Sequence, residues 1–491
     1  MKTTIALIAF HDDAINIRAL SAFLKGNGFE TLCFFCQGTV TDGALAGLTG
    51  IMKREKAALA GISLVTDDFA KAVAVTRAVR KECAVPVVWG GSHADVMADE
   101  CLAYADMVCK GEGEEALLEL AQAIEARGEY AGIANIWSRA GGVIARNAMR
   151  GLQSDLDRYP FPEFDSASHY YLRSGGFEQG RSGRSMYNIM GSRGCPYCCR
   201  YCYNNYRRSG YEGKGSYVRL RSVKNIIEEL SLAKETYAGL RQVNFWDDSF
   251  FLRGREEFLE FSGQYKLRVG IPFSVLGEPM AFDPEKLRIL AGCGLRSIQM
   301  GLQTGSDRVN QEVYNRRVSA DQMRQVAVRI NEAGVKAKYD IIFNNPYETE
   351  EDVRQTLRML LDFPRPFSLD GFNLIFYPGT QLTGQALADG FITPKPPEGE
   401  DFSAIQSDAN SPLTAWGGSV VSSRFYAVRY SSRQKEYLNT LFCLLNSRFI
   451  PRTFFERLIK TKSGVLKVLV RMCVPLYLFL VRLKNARKGA A

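Results

Sequence analysis

Four cysteines crowd into one short segment of the chain. Cys195, Cys199 and Cys202 follow the pattern C-x-x-x-C-x-x-C, and Cys198 is an extra thiol between them. The segment comes directly after the apolar run YNIMGS, which predicts a loop at the carboxyl end of a strand. Thiolates gathered on one loop favour a soft metal or an iron-sulfur cluster. Three such ligands can hold three irons of a 4Fe-4S cluster and leave the fourth iron open to a substrate.

A zinc site is the alternative use for these thiols. Zinc usually takes four protein ligands, and neither a second CxxC nor a His pair occurs at matching spacing. Cys33 and Cys36 do form a CxxC, but it falls inside an apparent strand, where alternation sends side chains to opposite faces. We therefore expect Cys33 and Cys36 to be core residues, and Cys198 not to be a ligand.

Two regions of alternating pattern are available to position these residues. Residues 1–147 alternate short apolar runs, such as AALAGISLV, with helical patterns, such as AKAVAVTRAVRK. This pattern predicts an α/β domain with a doubly wound, Rossmann-like sheet of five parallel strands, closed by a hairpin. Residues 148–184 are rich in Tyr, Pro, Gly, Ser and Arg, show no sustained period, and predict a linker.

A second alternation occupies residues 185–385. Six apolar runs, from YNIMGS to FNLIF, are mostly separated by helical stretches. Six strand-helix units predict a parallel β/α (TIM-like) barrel, complete or partial, whose functional end is where the strands finish. Residues 386–491 predict a helical C-terminal region, and no repeat period of about twenty to fifty residues is evident.

Composition narrows the class of protein. The chain has 491 residues, a formal net charge of +9 and 12 cysteines. It carries no long Lys/Arg block of the kind that tracks nucleic acid, so no nucleic-acid partner is expected. The N-terminus MKTTIALIAF runs directly into His11-Asp12-Asp13 and shows no signal peptide, which predicts a cytoplasmic protein with reduced thiols.

The cysteine pattern, with an aromatic residue at Tyr201, resembles the signature of the radical S-adenosylmethionine (SAM) superfamily. The resemblance implies that the open iron binds the methionine moiety of SAM, and that one electron from the cluster releases a 5'-deoxyadenosyl radical. It also implies an external electron donor, similar to a flavodoxin or a ferredoxin. The cofactor performs the radical-forming cleavage of SAM, and the protein orients the reactants in a cavity that excludes water.

The resemblance extends over roughly two hundred residues. Similar segments are Phe245–Phe250, Gly301–Ser306, Asp340–Thr349 and Phe376–Thr380. Many relatives carry Glu-Ser where this chain has Gln303-Thr304. The residues that the resemblance brings to the SAM pocket are Tyr201, Ser274, Gln303 and Tyr377.

The strands of the first domain end in small and polar residues. An open parallel sheet presents a ligand crevice at this edge, and small residues let a large ligand approach the backbone. No GxGxxG supports a dinucleotide. Placed before a radical SAM barrel, the domain resembles the cobalamin-binding domain of that superfamily, with the corrin between domain and barrel mouth. The implied cobalamin contacts are Ser63, Thr66, Gly90, Gly91, Gly111 and Glu112.

Many cobalamin domains carry Asp-x-His-x-x-Gly after the first strand, and its histidine ligates cobalt. The equivalent stretch, Ala9–Ala14, keeps His11 in register but lacks the aspartate and the glycine. Two interpretations stay open: His11 ligates cobalt, or it is a loop residue and cobalt has no protein histidine. Loss of the aspartate partner favours the second.

The resemblance predicts a cobalamin-dependent radical SAM enzyme, most simply a methyltransferase that acts on an unactivated carbon through a 5'-deoxyadenosyl radical and methylcobalamin. The alternatives are a cyclase or rearrangement enzyme with the same cofactors, and a non-catalytic cobalamin or metal sensor. A methylthiotransferase is disfavoured because the N-terminal cysteines form no convincing second set and the chain's end reads as helical.

The C-terminal stretch Val465–Val481 is apolar but interrupted by Lys467, Arg471 and Pro475, so it is a poor spanning helix. It predicts a helix that docks on the barrel or, through one basic stripe, lies on an anionic membrane surface. The substrate class is accordingly a small molecule or a lipid-like compound.

Overall fold

The computed structural model describes residues 2–140, 142–164, 167–174, 176–180, 185–394, 426–428, 433–442, 444–445 and 451–461, with the single residues 464, 466 and 470. It divides into two compact units. The first comprises residues 1–194 and 207–241, and the second comprises residues 195–206 and 242–491. The stretch Val465–Val481 lies almost wholly outside the described residues.

The first unit is built on a sheet with a parallel centre. Its five successive strands are Thr4–Ala9 (β1), Glu30–Phe35 (β2), Ala57–Ser63 (β3), Val87–Gly90 (β4) and Met107–Cys109 (β5). They lie in the order β5-β4-β3-β1-β2, and every adjacent pair is parallel. The predicted Rossmann-like sheet is confirmed. Its strands are almost wholly buried, as parallel strands covered by helices on both faces must be.

Antiparallel strands extend both edges of this sheet. The predicted hairpin consists of Ile136–Ala140 (β6) and Val143–Arg146 (β7), and β6 pairs with β5. On the other edge, His169–Arg173 (β8) pairs with β2 and with Gly176–Gln179 (β9). The segment predicted as a linker therefore contributes two strands. Aromatic stacking explains why, because Tyr170 and Tyr171 stack on Phe34 and Phe35 at centroid distances of 5.3 and 4.9 Å.

Helices cover the sheet and bury its apolar side chains. They are Ile15–Gly26 (α1), Asp42–Arg54 (α2), Phe69–Glu82 (α3), Ser92–Val96 (α4), Ala98–Cys101 (α5) and Glu114–Glu125 (α6). Leu24 of α1 and Leu117 and Leu120 of α6 join Ile5 and Leu7 of β1 in one buried cluster. Cys33 and Cys36 are buried, as expected for core thiols.

The first unit also contains the strands on either side of the cysteine segment. These are Met186–Ile189 (β10), Ser192–Arg193 (β11) and Arg219–Leu220 (β12), and β11 pairs antiparallel with β12. The helix Tyr203–Gly210 (α7) crosses the boundary between the units, and Val223–Thr236 (α8) follows β12. The Ser222 hydroxyl caps α8 by accepting a hydrogen bond from the Asn225 amide.

The second unit holds five parallel strands in chain order. They are Gln242–Phe245 (β13), Phe273–Gly277 (β14), Leu295–Gln303 (β15), Lys336–Phe343 (β16) and Phe367–Asn373 (β17). The connecting helices are Arg255–Gln264 (α9), Pro284–Ala291 (α10), Ala320–Glu332 (α11), Glu350–Leu361 (α12) and Gln381–Ala388 (α13). Five of the six apolar runs that were predicted as barrel strands coincide with strands, whereas the sixth, FNLIF, overlaps β17 only at Phe372 and Asn373. The partial β/α barrel is confirmed.

The two faces of the barrel strands differ in chemistry. Phe245 and Phe273 point outward and pack on Phe261 of α9, with ring centroids 5.8 and 5.9 Å away. The strand residues adjacent to them, Asn244 and Ser274, face the opposite way by alternation and are polar, and the Ser274 hydroxyl donates to Asn244 Oδ1 at 2.7 Å. Inward residues of a closed barrel core are normally bulky and apolar, so a polar inner face indicates a binding cavity.

Short elements complete the described part of the second unit. Ile392–Pro394 (β18) pairs antiparallel with Tyr426–Val428 (β19), and the helices Arg433–Phe442 (α14) and Arg452–Lys460 (α15) follow. Tyr437 of α14 donates its hydroxyl to the Leu458 carbonyl at 3.0 Å, which joins these two helices. Among the residues that the structure describes, no helix combines the length and the apolar character that a membrane span requires.

Candidate active site

The cysteine segment is a loop that the second unit holds through its main chain. The Arg200 amide donates to the Tyr314 carbonyl at 3.0 Å, and the Arg200 carbonyl accepts from the Leu382 amide at 3.0 Å. Asn315 Nδ2 donates to the Cys198 carbonyl at 3.0 Å. Contacts to two other segments therefore help to set the conformation of the loop.

The three motif thiols are partly exposed, whereas five other cysteines of the described chain are buried. Burial raises the pKa of Cys195 to about 12 and that of Cys202 to about 11, and it also raises the pKa of Cys199. These surroundings favour the protonated thiols, so a cluster that binds the sulfurs must displace those protons and would supply the compensating positive charge.

The zinc alternative gains no support from this loop. No three His, Cys, Asp or Glu side chains of the described residues are arranged to hold a single metal ion. A structural zinc needs its ligands around one ion. A 4Fe-4S cluster distributes its cysteines over different irons, so its ligands need not converge in this way. The chemistry of the donor set, three thiols at the spacing C-x-x-x-C-x-x-C, fits three ligands of a 4Fe-4S cluster.

Tyr201 points away from solvent into a buried cluster of side chains. Its ring contacts Tyr314 edge-on at a centroid distance of 4.8 Å and packs beside Phe376 and Leu382. Burial raises the pKa of Tyr201 far above its usual value. The side chain therefore anchors the cysteine loop, and its predicted contact with SAM stays a prediction.

Gly194 precedes the first motif cysteine and has the left-handed φ of +86°. A Cβ at this position would lie 2.2 Å from the Tyr217 carbonyl oxygen. Gly194→Ala should cost about 1–2 kcal/mol for the left-handed backbone alone, and the steric clash must also displace the chain next to Cys195. We expect iron and sulfide content after anaerobic reconstitution to fall by roughly threefold or more.

Gly213→Ala is the matched control for this prediction. Gly213 also has a positive φ, +72°, but its Cβ would meet nothing within 4 Å. The control should carry backbone strain without the clash and keep its iron. Equal iron loss in the two variants would show that the contact with Tyr217 does not matter.

The other residues predicted for the SAM pocket lie on or after barrel strands. Ser274 lies on the inner face of β14, as described above. Gln303 ends β15 with a φ of +72°, and its side chain folds back over Gly301. The Tyr377 carbonyl accepts hydrogen bonds from the Thr380 and Thr383 hydroxyls at 3.0 and 2.8 Å. All three occupy the second unit, with the cysteines.

Glu278 is a residue that sequence reasoning missed. It directly follows β14, is 8% exposed, and accepts a hydrogen bond from the Ser249 hydroxyl through Oε1. Its other oxygen, Oε2, is buried and has no well-formed hydrogen-bond partner among the described residues. Burial raises the pKa of Glu278 to about 7, partly offset by Ser249, Arg316 and Tyr197. The sequence could have indicated Glu278, because it places a carboxyl group directly after a barrel strand, where functional residues of such barrels lie.

A second missed pair lies on the inner face of β15 and β16. Gln299 Nε2 donates to both carboxylate oxygens of Asp340, each at 3.0 Å. Burial raises the pKa of Asp340 from 3.8 to about 6, although the Gln299 bond opposes the rise. The sequence could have indicated this pair, because each strand carries a polar residue at a position where the alternation of side chains predicts an inward direction.

The pKa of Asp340 predicts a pH dependence of stability. Between about pH 4 and pH 6 the folded carboxyl holds its proton while the unfolded one loses it, so stability falls as pH rises through this range. A shift of about two units corresponds to at most about 3 kcal/mol. Asp340→Asn should remove this fall. Thermal melting at pH 4.5 and 7.5 checks it, and parallel profiles of variant and wild type would contradict it.

The first unit brings several predicted cobalamin residues to the carboxyl edge of its sheet. Ser63 ends β3, and its hydroxyl accepts from Asn16 Nδ2 at 2.5 Å. The Thr66 hydroxyl lies 3.2 Å from Nδ1 of the buried His93. Between them Val65 exposes 41% of its surface, an apolar patch at this edge. A partly exposed edge of hydroxyl groups and one apolar side chain fits a large amide-rimmed cofactor such as cobalamin.

Three predicted glycines behave differently at this edge. A Cβ on Gly90 would meet only ordinary contacts at 3.8 Å or more. Gly91 has a φ of +95°, and its Cβ would lie 2.6 Å from the Leu64 carbonyl oxygen. At Gly111 the Tyr211 hydroxyl would lie 2.0 Å from a Cβ. The packing of the unit therefore already requires glycine at positions 91 and 111.

Glu112 is committed to ion pairs inside the first unit. Its carboxylate binds both guanidinium nitrogens of Arg219, at 3.0 Å for one of them, and lies 3.2 Å from Arg193. Because burial opposes ionisation and the two arginines favour it, the pKa of Glu112 is lowered overall. The carboxylate joins the loop after β5 to β11 and β12, and its predicted contact with cobalamin stays a prediction.

Comparison with known proteins decides the family. Residues 189–360 match the model of the radical SAM superfamily. Residues 2–121 match the model of the B12-binding domain. The chain is a cobalamin-dependent radical SAM enzyme. Its cofactors are a 4Fe-4S cluster, SAM and cobalamin, as the sequence predicted.

Curated relatives of this cobalamin-dependent radical SAM enzyme are distant. An uncharacterized methyltransferase of Pyrococcus horikoshii is 25% identical over 364 residues, which are 72% of this chain and 75% of the relative. An anaerobic magnesium-protoporphyrin IX monomethyl ester cyclase of Cereibacter sphaeroides is 25% identical over 300 residues, or 56% of this chain and 44% of the cyclase.

Solved structures share the fold of the enzyme. The radical SAM methyltransferase TsrM of Kitasatospora setae superposes with a TM-score of 0.64 at 19% identity, covering 81% of this chain and 79% of TsrM. The cobalamin-dependent radical SAM enzyme OxsB gives a TM-score of 0.69 at 12% identity and covers 98% of this chain and 71% of OxsB. At these identities the likeness establishes the fold of both units.

Proposed function

We propose that this enzyme is a methyltransferase that acts on an unactivated carbon of a small molecule. The observation that carries the proposal is the succession, in one chain, of a B12-binding domain and a radical SAM domain with its cysteine loop. The cluster with SAM supplies a carbon-centred radical, and cobalamin supplies a methyl carrier. The similarity to a curated methyltransferase supports this outcome.

The residues proposed to bind the cluster are Cys195, Cys199 and Cys202. Their support is the loop geometry, which holds three partly exposed thiols in place through main-chain bonds. Cys198 is not proposed as a ligand. The Asn315 side chain holds the Cys198 carbonyl.

The proposed SAM pocket is the polar inner face of the barrel. Tyr201, Ser274, Gln303 and Tyr377 keep the roles that the resemblance implies. Two residues join them: Asp340, which is fixed by Gln299, and Glu278, whose buried carboxyl group directly follows β14.

The proposed cobalamin contacts lie at the carboxyl edge of the first sheet. Ser63, Thr66 and Gly90 are supported by partial exposure and by the room around Gly90. The packing that stabilises this edge involves Gly91, Gly111 and Glu112. We propose that these three residues contact cobalamin only through main-chain groups. The ion pairs of Glu112 occupy its carboxylate but leave its main chain available.

An experiment separates methyl transfer from the other outcomes. The protein is reconstituted anaerobically with iron, sulfide and cobalamin, supplied with SAM and a low-potential reductant, and assayed for 5'-deoxyadenosine and S-adenosylhomocysteine. Both products together are expected. 5'-Deoxyadenosine alone would favour a cyclisation or rearrangement, the outcome that the similarity to the anaerobic cyclase supports as second candidate. Neither product, with cobalamin bound, would favour a sensor.

The proposed partners are a small-molecule substrate and an external electron carrier similar to a flavodoxin or a ferredoxin. We propose a cytoplasmic location. Contact with a membrane through the stretch Val465–Val481, and with it a lipid-like substrate, is tested by cell fractionation. Recovery of the enzyme in the soluble fraction at low salt would contradict membrane contact.

A further inference from the structure

Helix α15 presents two faces of different chemistry. Its apolar side chains Phe455, Leu458 and Ile459 are buried in the second unit. Hydrogen bonds to its main chain fix the orientation of the helix. The Leu458 carbonyl accepts from the Tyr437 hydroxyl at 3.0 Å, and the next carbonyl accepts from Arg354 Nε at 3.4 Å. The opposite face is therefore held away from this core.

The opposite face carries one aromatic ring and two cations. Phe454, Arg457 and Lys460 are all exposed, and Phe454 exposes 45% of its surface. At 3.6 residues per turn, these three side chains lie within an arc of about 120°, and we call them the α15 outer face. In the part of the chain that the structure describes, neither cation has a carboxylate within ion-pair distance. The acidic residue of this helix, Glu456, pairs with Arg452 at 3.3 Å.

The net charge of the chain is concentrated at and after this face. The chain contains 62 Lys and Arg and 53 Asp and Glu. Residues 457–491 hold nine of the basic residues and none of the acidic ones, so residues 1–456 carry 53 of each sign and are neutral. The whole formal charge of +9 therefore belongs to residues 457–491. Within them, residues 472–481 carry no charge and are mostly Leu, Val and aromatic.

A lipid surface is the partner that uses both parts of this pattern. Its anionic headgroups attract the cations, and the boundary between headgroups and acyl chains takes up apolar and aromatic side chains such as Phe454. A nucleic acid would attract the same cations through its phosphates, but the uncharged run 472–481 would add nothing to that contact. The pattern of charge and apolar residues favours the lipid.

We propose that the α15 outer face contacts an anionic lipid surface. The inference rests on the membrane contact that is proposed for the stretch Val465–Val481, and it is independent of the reaction that the enzyme catalyses. It adds described residues, Phe454, Arg457 and Lys460, to that contact. Because α15 has a fixed orientation on the second unit, this face also determines which side of that unit turns toward the lipid.

Sedimentation with lipid vesicles tests the proposal on the full chain, reconstituted anaerobically with its cluster. Vesicles of phosphatidylcholine mixed with phosphatidylglycerol are compared with vesicles of phosphatidylcholine alone. Wild type is expected to sediment with the anionic vesicles only, and to be released at high salt because screening weakens the attraction. Equal binding to both kinds of vesicle would overturn the proposal. Binding to neither would overturn it together with the proposed membrane contact, and would leave the proposed methyl transfer untouched.

Arg457→Gln/Lys460→Gln tests the two cations of the face. Each cation near an anionic surface contributes about fivefold in affinity, so their loss is expected to weaken vesicle binding by about 25-fold. Lys81→Gln/Lys266→Gln is the matched control, because both lysines are exposed, lie outside α15 and give the same change of net charge. It is expected to bind within about twofold of wild type. Equal weakening in the two variants would show that only net charge matters and would overturn the proposal.

Phe454→Ser tests the aromatic ring, and Leu267→Ser is its control. Leu267 exposes 85% of its surface, so both substitutions remove an exposed apolar side chain and should leave folding intact. Phe454→Ser is expected to weaken vesicle binding by about fivefold or more, and Leu267→Ser to leave it unchanged. Binding of single-stranded RNA that depends on Arg457 and Lys460, in a protein that does not sediment with vesicles, would overturn the proposal in favour of a nucleic-acid partner.

Discussion

Cys199→Ala is expected to abolish production of 5'-deoxyadenosine, a loss of more than about 1,000-fold, because the cofactor and not the protein performs the cleavage of SAM. The three proposed ligands leave one iron open, and loss of one of them leaves the cluster with two. Iron and sulfide content, the visible absorbance of the cluster and the 5'-deoxyadenosine assay measure the effect after anaerobic reconstitution.

The neighbouring thiol provides the control. Cys198→Ala removes a sulfur from the same loop and leaves the main-chain bond from Asn315 in place. We expect this variant to keep its cluster and its ability to cleave SAM. If Cys198→Ala lost the cluster and Cys199→Ala kept it, the assignment of the ligand register would be wrong.

Glu112→Gln is expected to lower the free energy of unfolding of the first unit by about 3 kcal/mol. The carboxylate compensates Arg219, whose side chain is only 4% exposed, and it also pairs with Arg193. Removal of one partner leaves a buried charge uncompensated, which typically costs about 3–5 kcal/mol. A residual amide contact should reduce this cost. For a unit of this size the melting temperature should fall by roughly 6–12 °C.

Glu115→Gln is the matched control, three residues further along the chain in the first turn of α6. Glu115 pairs with Arg158 at 3.5 Å, but both side chains are substantially exposed, so its loss should change stability by less than about 1 kcal/mol. The double variant Glu112→Gln/Arg219→Met should recover part of the lost stability, since neither charge then remains buried. Equal melting temperatures for the two single variants would contradict the structural role of Glu112.

The cysteine loop was predictable because its information is local. Cys195, Cys199 and Cys202 lie within eight positions of one another, and the strand before them has a strong apolar pattern. A local spacing of this kind can be recognised in a single sequence. The same holds for the alternation of strands and helices, which predicted five parallel strands in the first unit and the barrel strands of the second.

The strands β8 and β9 could not be predicted from local pattern. Residues 148–184 have no sustained period, and the two strands form because β2 offers an open edge and a row of aromatic rings. A strand that is stabilised by its partner shows little signal of its own. The tertiary structure therefore decided that this segment belongs to the first sheet.

What the sequence by itself determined is the chemistry: a loop of three thiols that suits a 4Fe-4S cluster, and the succession of a cobalamin-type domain and a barrel. What only the tertiary structure decided is the set of partners. Glu112 meets Arg219, which is 107 positions away, and Gln299 meets Asp340, which is 41 positions away. His11 meets Asp68 across two strands of one sheet. Such pairs join residues that are distant in sequence, so no spacing pattern predicts them. They form because burial and charge compensation act in the folded chain.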